Sequence, residues 1–269
     1  MIGSRMYEPS NHTFAVCAYG ESPYLKDCIE SLLAQKVQTK ILIATSTPNA
    51  HIKKIANTYG IPLFINKGKP GIGHDWNCAV EHCTTDLVTI SHQDDIYLPE
   101  FAHETLESIG RSDHPLISFT DYGEIRDSEA VDKSKLLSIK RALLSPLKSD
   151  RNANSIFIRR RVLSMGSPIC CPSVTYCRSN LPDPLFLNRM RCDLDWEAWE
   201  RFSRLEGDYI YIPKILMRHR IHEGSETTAL IKDDTRAAED LAMFEKFWPK
   251  PIAQIISNLY SASMSSNQL

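Results

Sequence analysis

The sequence predicts an α/β fold with a mostly parallel, Rossmann-like central sheet flanked by helices and followed by a C-terminal extension. Two observations lead to this prediction. Short apolar runs, typical of buried parallel strands, alternate with amphipathic segments of helical period between residues 13 and 123. Beyond residue 123 the alternation weakens, although further strand and helix patterns follow. The second half is therefore predicted to extend the same domain and to receive a second substrate.

Five apolar runs in the first half are predicted strands, at residues 13–19, 40–44, 61–65, 86–91 and 116–122. The helices between them carry cap signals or one-sided apolar spacing. Pro23 opens the first helix, and Asn49 caps the second, which ends at Gly60. The apolar face of the first helix consists of Leu25, Cys28, Ile29, Leu32 and Leu33. Further helices are predicted at 75–83, after Pro99, at 193–205 and at 233–247, and further strands at 174–177, 208–212 and 215–220.

Composition excludes several classes of protein. The 269 residues carry a formal net charge of -2, which argues against nucleic-acid binding by bulk charge. No apolar run approaches the roughly 18 residues of a membrane-spanning helix. The eight cysteines include no CxxC pair, so reduced thiols in a cytoplasmic protein are expected rather than disulfides or structural zinc. The N-terminal residues have no apolar core and are predicted to form a disordered leader.

Two adjacent aspartates, Asp94 and Asp95, follow the predicted strand at 86–91. Both cannot be buried without a partner, because an isolated charge is costly to desolvate. A divalent cation, Mn²⁺ or Mg²⁺, is a suitable partner, since it binds carboxylate and diphosphate oxygens. The alternative is structural: an aspartate could simply cap the following turn.

Ligands of parallel α/β sheets bind beyond the carboxyl ends of the strands. This rule directs attention to 18–21, 45–49, 66–77 and 92–97. The segment 66–77 begins with a loop whose glycines and lysines suit a phosphate group, although it lacks the Gly-Lys-[Ser/Thr] signature of nucleoside triphosphatases. An ordinary surface loop is the alternative.

Acidic residues open the predicted helix at 193–205. Capping and the helix dipole account for Asp193 and Glu197, whereas Asp195 is the better candidate for a general base that takes a proton from a hydroxyl group. Further along, Arg218, Arg220 and His222 share one face of an extended segment. That face suits an anionic diphosphate or a metal ion, and a solvated edge strand is the alternative.

Together these residues resemble a family 2 glycosyltransferase of the GT-A fold, of the bacterial cell-surface polysaccharide type. Residues 15–19 and 24–35 resemble the family's opening strand and helix. Gly73 and Asn77 resemble its glycine-to-asparagine segment, and residues 92–95 resemble its DXD region. The resemblance covers most of residues 13–228.

The resemblance implies a role for individual residues. Asp95 would bind the metal on the donor diphosphate, and Asp94 would contact the ribose or the metal. His222 would help to hold the metal or the diphosphate, and Asp195 would be the catalytic base. The other residues implied at the nucleotide-sugar site are Ala18, Tyr19, Glu21, Thr45, Gly73, Asn77 and Gln93.

The chain departs from the family pattern at three places. Residues 44–47 lack the acid that usually reads uracil, and His92 with Gln93 replaces the first acid of the DXD motif. Leu194 replaces the acid ahead of Asp195. The nucleotide base is therefore left open, with UDP the commonest family choice, and so is the choice of Asp193 or Asp195 as base.

The expected activity is an inverting, metal-dependent transfer of a sugar from a nucleotide-diphosphate donor to a glycan or lipid-linked acceptor. The expected parts are a leader (1–12), a nucleotide-sugar-binding half (13–123), an acceptor-binding and catalytic half (124–232) and a helical tail (233–269). Two alternatives are a sugar-nucleotide nucleotidyltransferase, which would release pyrophosphate, and a non-catalytic sugar-nucleotide-binding subunit. The tail could rest on the inner face of a membrane, but packing on the domain or a homodimer contact is favoured.

Overall fold

The computed structural model describes residues 7–222 and 234–266. Within these residues, the strands are β1 (His12–Cys17), β2 (Lys40–Thr45), β3 (Leu63–Ile65), β4 (Leu87–His92), β5 (Ile96–Tyr97), β6 (Pro115–Arg126), β7 (Glu129–Val131), β8 (Val174–Cys177) and β9 (Asp208–Arg220). The α-helices are α1 (Leu25–Leu33), α2 (Ala50–Tyr59), α3 (Ile72–Glu81), α4 (Phe101–Ile109), α5 (Lys135–Leu144), α6 (Ile156–Leu163), α7 (Leu194–Phe202), α8 (Asp234–Glu245) and α9 (Lys250–Ser266).

The strands form one mixed sheet in the order β3-β2-β1-β4-β8-β6-β9-β5, with β7 beside β6. Strands β1 to β4 pair in parallel, and β6 pairs in parallel with β9. The short strand β8 is antiparallel to both β4 and β6. Two antiparallel steps restore the direction, so β6 and β9 run the same way as β1 to β4. The predicted α/β fold with a mostly parallel sheet is confirmed.

The second half contains elements that were not predicted, namely β7, α6 and α9, and it joins two predicted strands into one. The runs at 208–212 and 215–220 form a single strand, β9, which pairs with β6. The register slips where Thr120 faces Ile212 and Asp121 faces Ile215, so that Pro213 and Lys214 fall outside the ladder. Proline cannot donate to a ladder and is tolerated at such a bulge, which is why the sequence suggested two strands.

Helices pack on both faces of the sheet, and alternation along β1 supplies both apolar clusters. Phe14 and Val16 belong to the cluster under α1 and α2, whereas Ala15 belongs to the cluster that contains Trp196 of α7 and Phe244 of α8. Successive side chains of a strand point to opposite faces, so one strand anchors both layers. Because β1 and β4 lie in the middle of the sheet, the loops after them are held rigidly from both sides.

The C-terminal helices pack into the second of these clusters. Phe244 and Ala253 are fully buried, and the Trp248 indole N–H donates to the Ser164 carbonyl over 2.8 Å. Among the described residues, no helix is both long and apolar enough to span a bilayer. The tail helices are thus attached to the domain.

Two parts of the predicted organisation fall on residues that are not described. Residues 1–6 of the predicted leader lie outside the described residues, while Tyr7 is buried and Pro9–Asn11 forms a 3-10 turn ahead of β1. The boundary between the predicted catalytic half and the tail, at 232–233, also lies outside them. All eight cysteines are described, and none of them forms a disulfide bond.

Gly207 and Gly60 provide a test of backbone strain. Gly207, which precedes β9, has φ +127° and a Cβ there would lie 2.5 Å from the His114 carbonyl oxygen, whereas Gly60 has φ +64° in open space. We expect Gly60→Ala to cost about 1–2 kcal/mol of unfolding free energy, from its left-handed conformation alone. Gly207→Ala should cost about 3 kcal/mol or more, because strain and overlap add. Urea unfolding of both variants measures the difference, and equal losses would contradict the packing at Gly207.

Candidate active site

A buried carboxylate lies where β4 ends. Asp95 is completely buried, and its Oδ1 accepts hydrogen bonds from the backbone N–H of Arg220 (2.9 Å) and from the Nδ1 of His219 (3.0 Å). Both donors belong to β9, so the acid after β4 is hydrogen-bonded to a strand three positions away in the sheet. Burial lowers the pKa of His219, but the charge of Asp95, its hydrogen bond and the charge of Asp94 together outweigh burial and raise that pKa to about 8.

Asp94 makes a second set of contacts with the same strand end. Its Oδ2 lies 2.9 Å from the Nε2 of His222, and its carbonyl accepts from the Nε of Arg220 over 2.9 Å. Burial opposes ionisation of Asp94, but His92, His219 and His222 outweigh it, and its pKa is lowered. Asp94 is therefore a carboxylate at neutral pH.

The acid pair and His92 form a group suited to a divalent cation. Each of His92, Asp94 and Asp95 offers one potential ligand atom, and these three atoms lie within 4.8 Å of one another. Asp95 Oδ2 and His92 Nε2 are buried, and each lacks a hydrogen-bond partner. Burial lowers the pKa of His92, which keeps its imidazole neutral, as a metal ligand must be. Two carboxylates and an imidazole suit Mn²⁺ better than Mg²⁺, which prefers oxygen alone.

This group differs from the predicted ligand pair, Asp95 and His222. The structure brings His92 into the group with both aspartates, whereas the Nε2 of His222 is directed at Asp94. The sequence analysis counted His92 only as a lost acid. A histidine three residues before Asp95, at the end of a buried strand, is the signal that could have identified it.

The predicted nucleotide residues after β1 and β2 lie beside this group. The side-chain amide of Gln93 pairs with the backbone of Tyr19, accepting from its N–H and donating to its carbonyl, both over 3.0 Å. Ala18 is buried and donates its N–H to Ala44, while Tyr19 is 59% exposed. Glu21 is exposed, and buried Thr45 accepts the N–H of Thr47 at its hydroxyl. The exposed Tyr19 and Glu21 thus face solvent next to the acid pair.

Gly73 and Asn77, in contrast, contact the segment that precedes α7. The Asn77 amide donates to the carbonyl of Phe186 over 2.8 Å and accepts its N–H over 3.1 Å. A Cβ on Gly73 would lie 2.0 Å from the Asn188 side chain and 2.9 Å from that of Leu194. Both residues therefore hold α3 against this segment, and the Asn77 amide is already engaged.

The carboxylate of Asp75, to which no sequence motif assigned a role, lies near the ends of β2 and β3. Asp75, in the first turn of α3, accepts the Ser46 hydroxyl at Oδ2 (2.9 Å) and the Asn66 amide at Oδ1 (3.0 Å). Asn66 is 9% exposed, and its own Oδ1 is buried without a partner. Residues 44–47 contain no acid, but α3 places the carboxylate of Asp75 beside them.

Asp195 lies in the first turn of α7, half-buried, with its Oδ1 accepting the Trp196 N–H over 2.7 Å. Burial raises the pKa of its carboxyl to about 6, against the opposing effects of that hydrogen bond and of the charges of Lys140 and Arg236. A carboxylate with this pKa is mostly ionised at neutral pH and still accepts a proton readily, as a general base requires.

Asp193 behaves differently. It is 5% exposed, and burial together with the neighbouring carboxyl of Asp240 raises its pKa to about 9. Two buried carboxyls in contact cannot both ionise, so the proton they share resides on Asp193 at neutral pH. Asp193 occupies the N-cap position of α7, but its side chain makes no cap hydrogen bond.

The Cys170 thiol connects the acid pair to Asp195. It is buried, and its pKa is raised by burial first and then by the nearby charges of Asp95 and Asp195. The ammonium of Lys140, on α5, donates to the Tyr122 hydroxyl over 2.9 Å and acts electrostatically on both His219 and Asp195. No sequence pattern indicated a role for Lys140, because the segment that contains it is generally basic and only weakly helical in pattern. The acid pair with its partner His219, and Asp195, therefore lie within electrostatic range of the same two groups, Cys170 and Lys140.

Two surface pockets lie elsewhere. One, of about 370 Å³, is lined by residues including Tyr7 and Arg111, and another, of about 360 Å³, by residues including Thr84 and Arg178. Neither pocket is lined by a predicted site residue.

Solved structures with a similar fold include three sugar-nucleotide complexes. They are S. aureus TarS 1-349 with UDP-GlcNAc (13% identity, TM-score 0.61, 91% of this chain and 70% of that chain), the glucosyl-3-phosphoglycerate synthase of Mycobacterium tuberculosis with Mn²⁺ and UDP-glucose (13%, 0.59, 88% and 79%), and the mannosyltransferase PcManGT of Pyrobaculum calidifontis with GDP-Man and Mn²⁺ (14%, 0.60, 94% and 71%). At these identities the likeness shows a common fold.

Comparison with curated protein sequences gives no match. The model of the family described as Glycosyl transferase family 2, however, matches residues 13–178, which is more than half of the chain. The matched range contains the opening strand, α3 and the acid pair after β4. The chain therefore belongs to glycosyl transferase family 2.

Proposed function

We propose that this glycosyltransferase moves a sugar from a nucleoside diphosphate sugar to a hydroxyl acceptor with inversion, and that Asp195 is its base. The observation that carries the proposal is that the chain contains two acidic sites with different properties. Asp94 and Asp95, with His92, form a ligand group for a divalent cation, and Asp195 is a carboxylate with a pKa of about 6. Cys170 lies near both sites, so a donor at one and an acceptor at the other would meet.

Asp195 takes the proton of the acceptor hydroxyl as the new glycosidic bond forms. Asp193 does not compete for this role, because the proton it shares with Asp240 leaves it neutral at pH 7. A base held on the side of the anomeric carbon opposite the diphosphate gives in-line displacement and hence inversion. These protonation states support Asp195 rather than Asp193 as the base.

His92, Asp94 and Asp95 would hold a divalent cation, Mn²⁺ by the chemistry of the ligand set. Such an ion neutralises charge that develops on the departing diphosphate. Asp95 is oriented for this by two hydrogen bonds from β9, and Asp94 by His222. Two of the similar structures contain Mn²⁺ together with a sugar nucleotide, which supports the assignment.

The environment of Asp75 supports a donor nucleotide whose nucleobase carries a ring N–H group. Its carboxylate is oriented by Ser46 and Asn66, and each oxygen retains a lone pair. Uracil N3–H and guanine N1–H donate to a carboxylate, whereas cytosine N3 is an acceptor and would be repelled. We infer UDP as the donor nucleotide, with GDP as the second candidate and CDP disfavoured. The complexes of TarS with UDP-GlcNAc and of PcManGT with GDP-Man are compatible with either choice.

The acceptor is proposed to be a glycan or a lipid-linked sugar in polysaccharide or glycoconjugate assembly. Support comes from the resemblance in the N-terminal half and from the exposed apolar residues Ile252, Ile255 and Leu259 on α9, which a lipid-bearing acceptor could contact. Family membership favours glycosyl transfer over nucleotidyl transfer.

The metal assignment predicts that Asp95→Asn removes Mn²⁺-dependent donor binding. The Asn keeps the size of the side chain but supplies a neutral amide in place of the unpaired carboxylate oxygen, so we expect at least a tenfold loss of affinity for UDP in the presence of Mn²⁺. Isothermal titration calorimetry measures it, with circular dichroism as the check on folding and the exposed Asp113→Asn as control. Unchanged Mn²⁺-dependent affinity in Asp95→Asn would exclude Asp95 as a ligand.

The base assignment predicts the pH dependence of turnover. Since Asp195 must be ionised to act, kcat should fall about tenfold per pH unit below pH 6 and reach a plateau above it. Asp195→Asn should retain UDP affinity, lose the acid limb and turn over about 10²–10⁴ times more slowly. Initial rates of nucleoside diphosphate release between pH 4.5 and 8.5, on the order of two units either side of that pKa, give the profile. A parental rate in Asp195→Asn would remove it as base.

The nucleotide assignment predicts discrimination between UDP and CDP. In a thermal-shift screen of UDP-, GDP-, CDP- and dTDP-sugars with Mn²⁺, UDP-sugars should stabilise the chain most and CDP-sugars least. Asp75→Asn should narrow or reverse the preference of UDP over CDP, because its amide can donate to cytosine N3. The exposed Glu81→Gln on the same helix is the control. Equal stabilisation by UDP and CDP in the parent would show that Asp75 does not read the base.

A further inference from the structure

Helix α8 contacts the segment before the catalytic helix through one carboxylate. Three consecutive backbone N–H groups, of Arg191, Cys192 and Asp193, donate to Glu239 over 2.7–3.1 Å. These three residues lead directly into α7, whose N-cap is Asp193, so Glu239 fixes the entry to that helix from another helix. Hydrogen bonds to a carboxylate are the stronger kind, and three converging on one group fix this segment in place.

The same helix also holds the residue after Asp195. The Trp196 ring packs edge-on against Phe244 of α8, with ring centres 5.2 Å apart, and its indole N–H donates to the Leu163 carbonyl over 3.1 Å. Asp195 is thus held between two attachments to α8, Glu239 on its N-terminal side and Phe244 on its C-terminal side. Neither residue belongs to the range matched by the family model.

A polar face of α8 is turned to this place. Arg236, Glu239 and Asp240 lie at i, i+3 and i+4, on one side of the helix. Asp240 is 2% exposed and shares its proton with Asp193, and Arg236 lies 4.0 Å from Asp240. Asp240 is the buried member of this group, and a buried carboxyl costs stability unless it is paired.

We propose that helix α8 is part of the catalytic apparatus, and that Glu239 is the positioning residue that sets the place and the burial of Asp195. The inference rests on the proposed role of Asp195 as base and adds a residue that no comparison and no sequence motif identified. A misplacement of about 1 Å at a reacting group can cost about a hundredfold in rate, which is the scale of the expected effect.

The charged and titratable groups that face Asp195 come from several elements. They are Lys140 of α5, Arg236 of α8, Asp193 of its own segment, and the neutral Cys170, Cys171 and Tyr176 of the turn before β8 and of β8 itself. Burial, and also the charge of Glu239, raises the pKa of Asp240, with which Asp193 shares its proton. If Glu239 maintains the burial of Asp195, loosening it admits water, and the pKa of Asp195 should move down toward the ordinary value of an aspartate.

The test compares Glu239→Gln with the exposed Glu245→Gln on the same helix. In Glu239→Gln, the amide N–H₂ opposes the converging backbone N–H groups. We expect kcat for nucleoside diphosphate release to fall about a hundredfold, an unchanged donor KM, and an acid limb displaced to lower pH. Calorimetric stoichiometry of UDP with Mn²⁺ gives the folded fraction to which kcat is normalised. Glu245→Gln should match the parent in all of these.

The outcomes separate this inference from the proposed function. If Asp195→Asn is inactive while Glu239→Gln keeps the parental kcat and acid limb, Glu239 does not position the base and only this inference is lost. If Glu239→Gln reduces only the folded fraction, its role is structural and the inference is likewise overturned. Should that variant not fold, Glu239→Asp, which withdraws the carboxylate by one methylene group, is measured in the same way. An active Asp195→Asn would overturn the proposed function itself.

Discussion

The site depends on one buried carboxylate. Asp95 has no exposed surface, and a charge in that position is tolerated only because β9 supplies two donors to one of its oxygens. This contact links the end of β4 to the end of β9 across the sheet. It also leaves the second oxygen of Asp95 buried, without a hydrogen-bond partner and close to His92, which is the condition for accepting a cation.

Two carboxyls two residues apart acquire opposite protonation states from their surroundings. Asp193 is buried against Asp240, and the pair retains a proton, whereas Asp195 faces the positive charges of Lys140 and Arg236 and is mostly ionised at neutral pH. Environment rather than residue type thus separates a neutral carboxylic acid from the ionised carboxylate that we propose as the base. The resulting division of labour is a common way for one fold to hold an acid and a base at the same pH.

The C-terminal helices, which the sequence analysis treated as a tail, make specific contacts with α7 and with the segment before it. Phe244 of α8 packs on Trp196, Trp248 bonds to Ser164, and Glu239 receives the amides before α7. The base helix is therefore held by elements that lie beyond the range matched by the family model. The acid pair thus lies within the range matched by the family model, whereas residues that hold α7 lie beyond it.

The sequence by itself determined the α/β class, the strands β1 to β4 and β6 with the helices between them, and the acid pair at a strand end, because these follow from local periodicity, turn chemistry and the cost of burying charge. It also indicated Asp195 as a candidate base. Only the tertiary structure decided which residues meet across the sheet. His92 joined the acid pair, Asp75 came to the ends of β2 and β3, and Glu239 reached the segment before α7. Such contacts join residues far apart in the chain, and burial, which sets the protonation of Asp193 and Asp195, exists only once those contacts have formed.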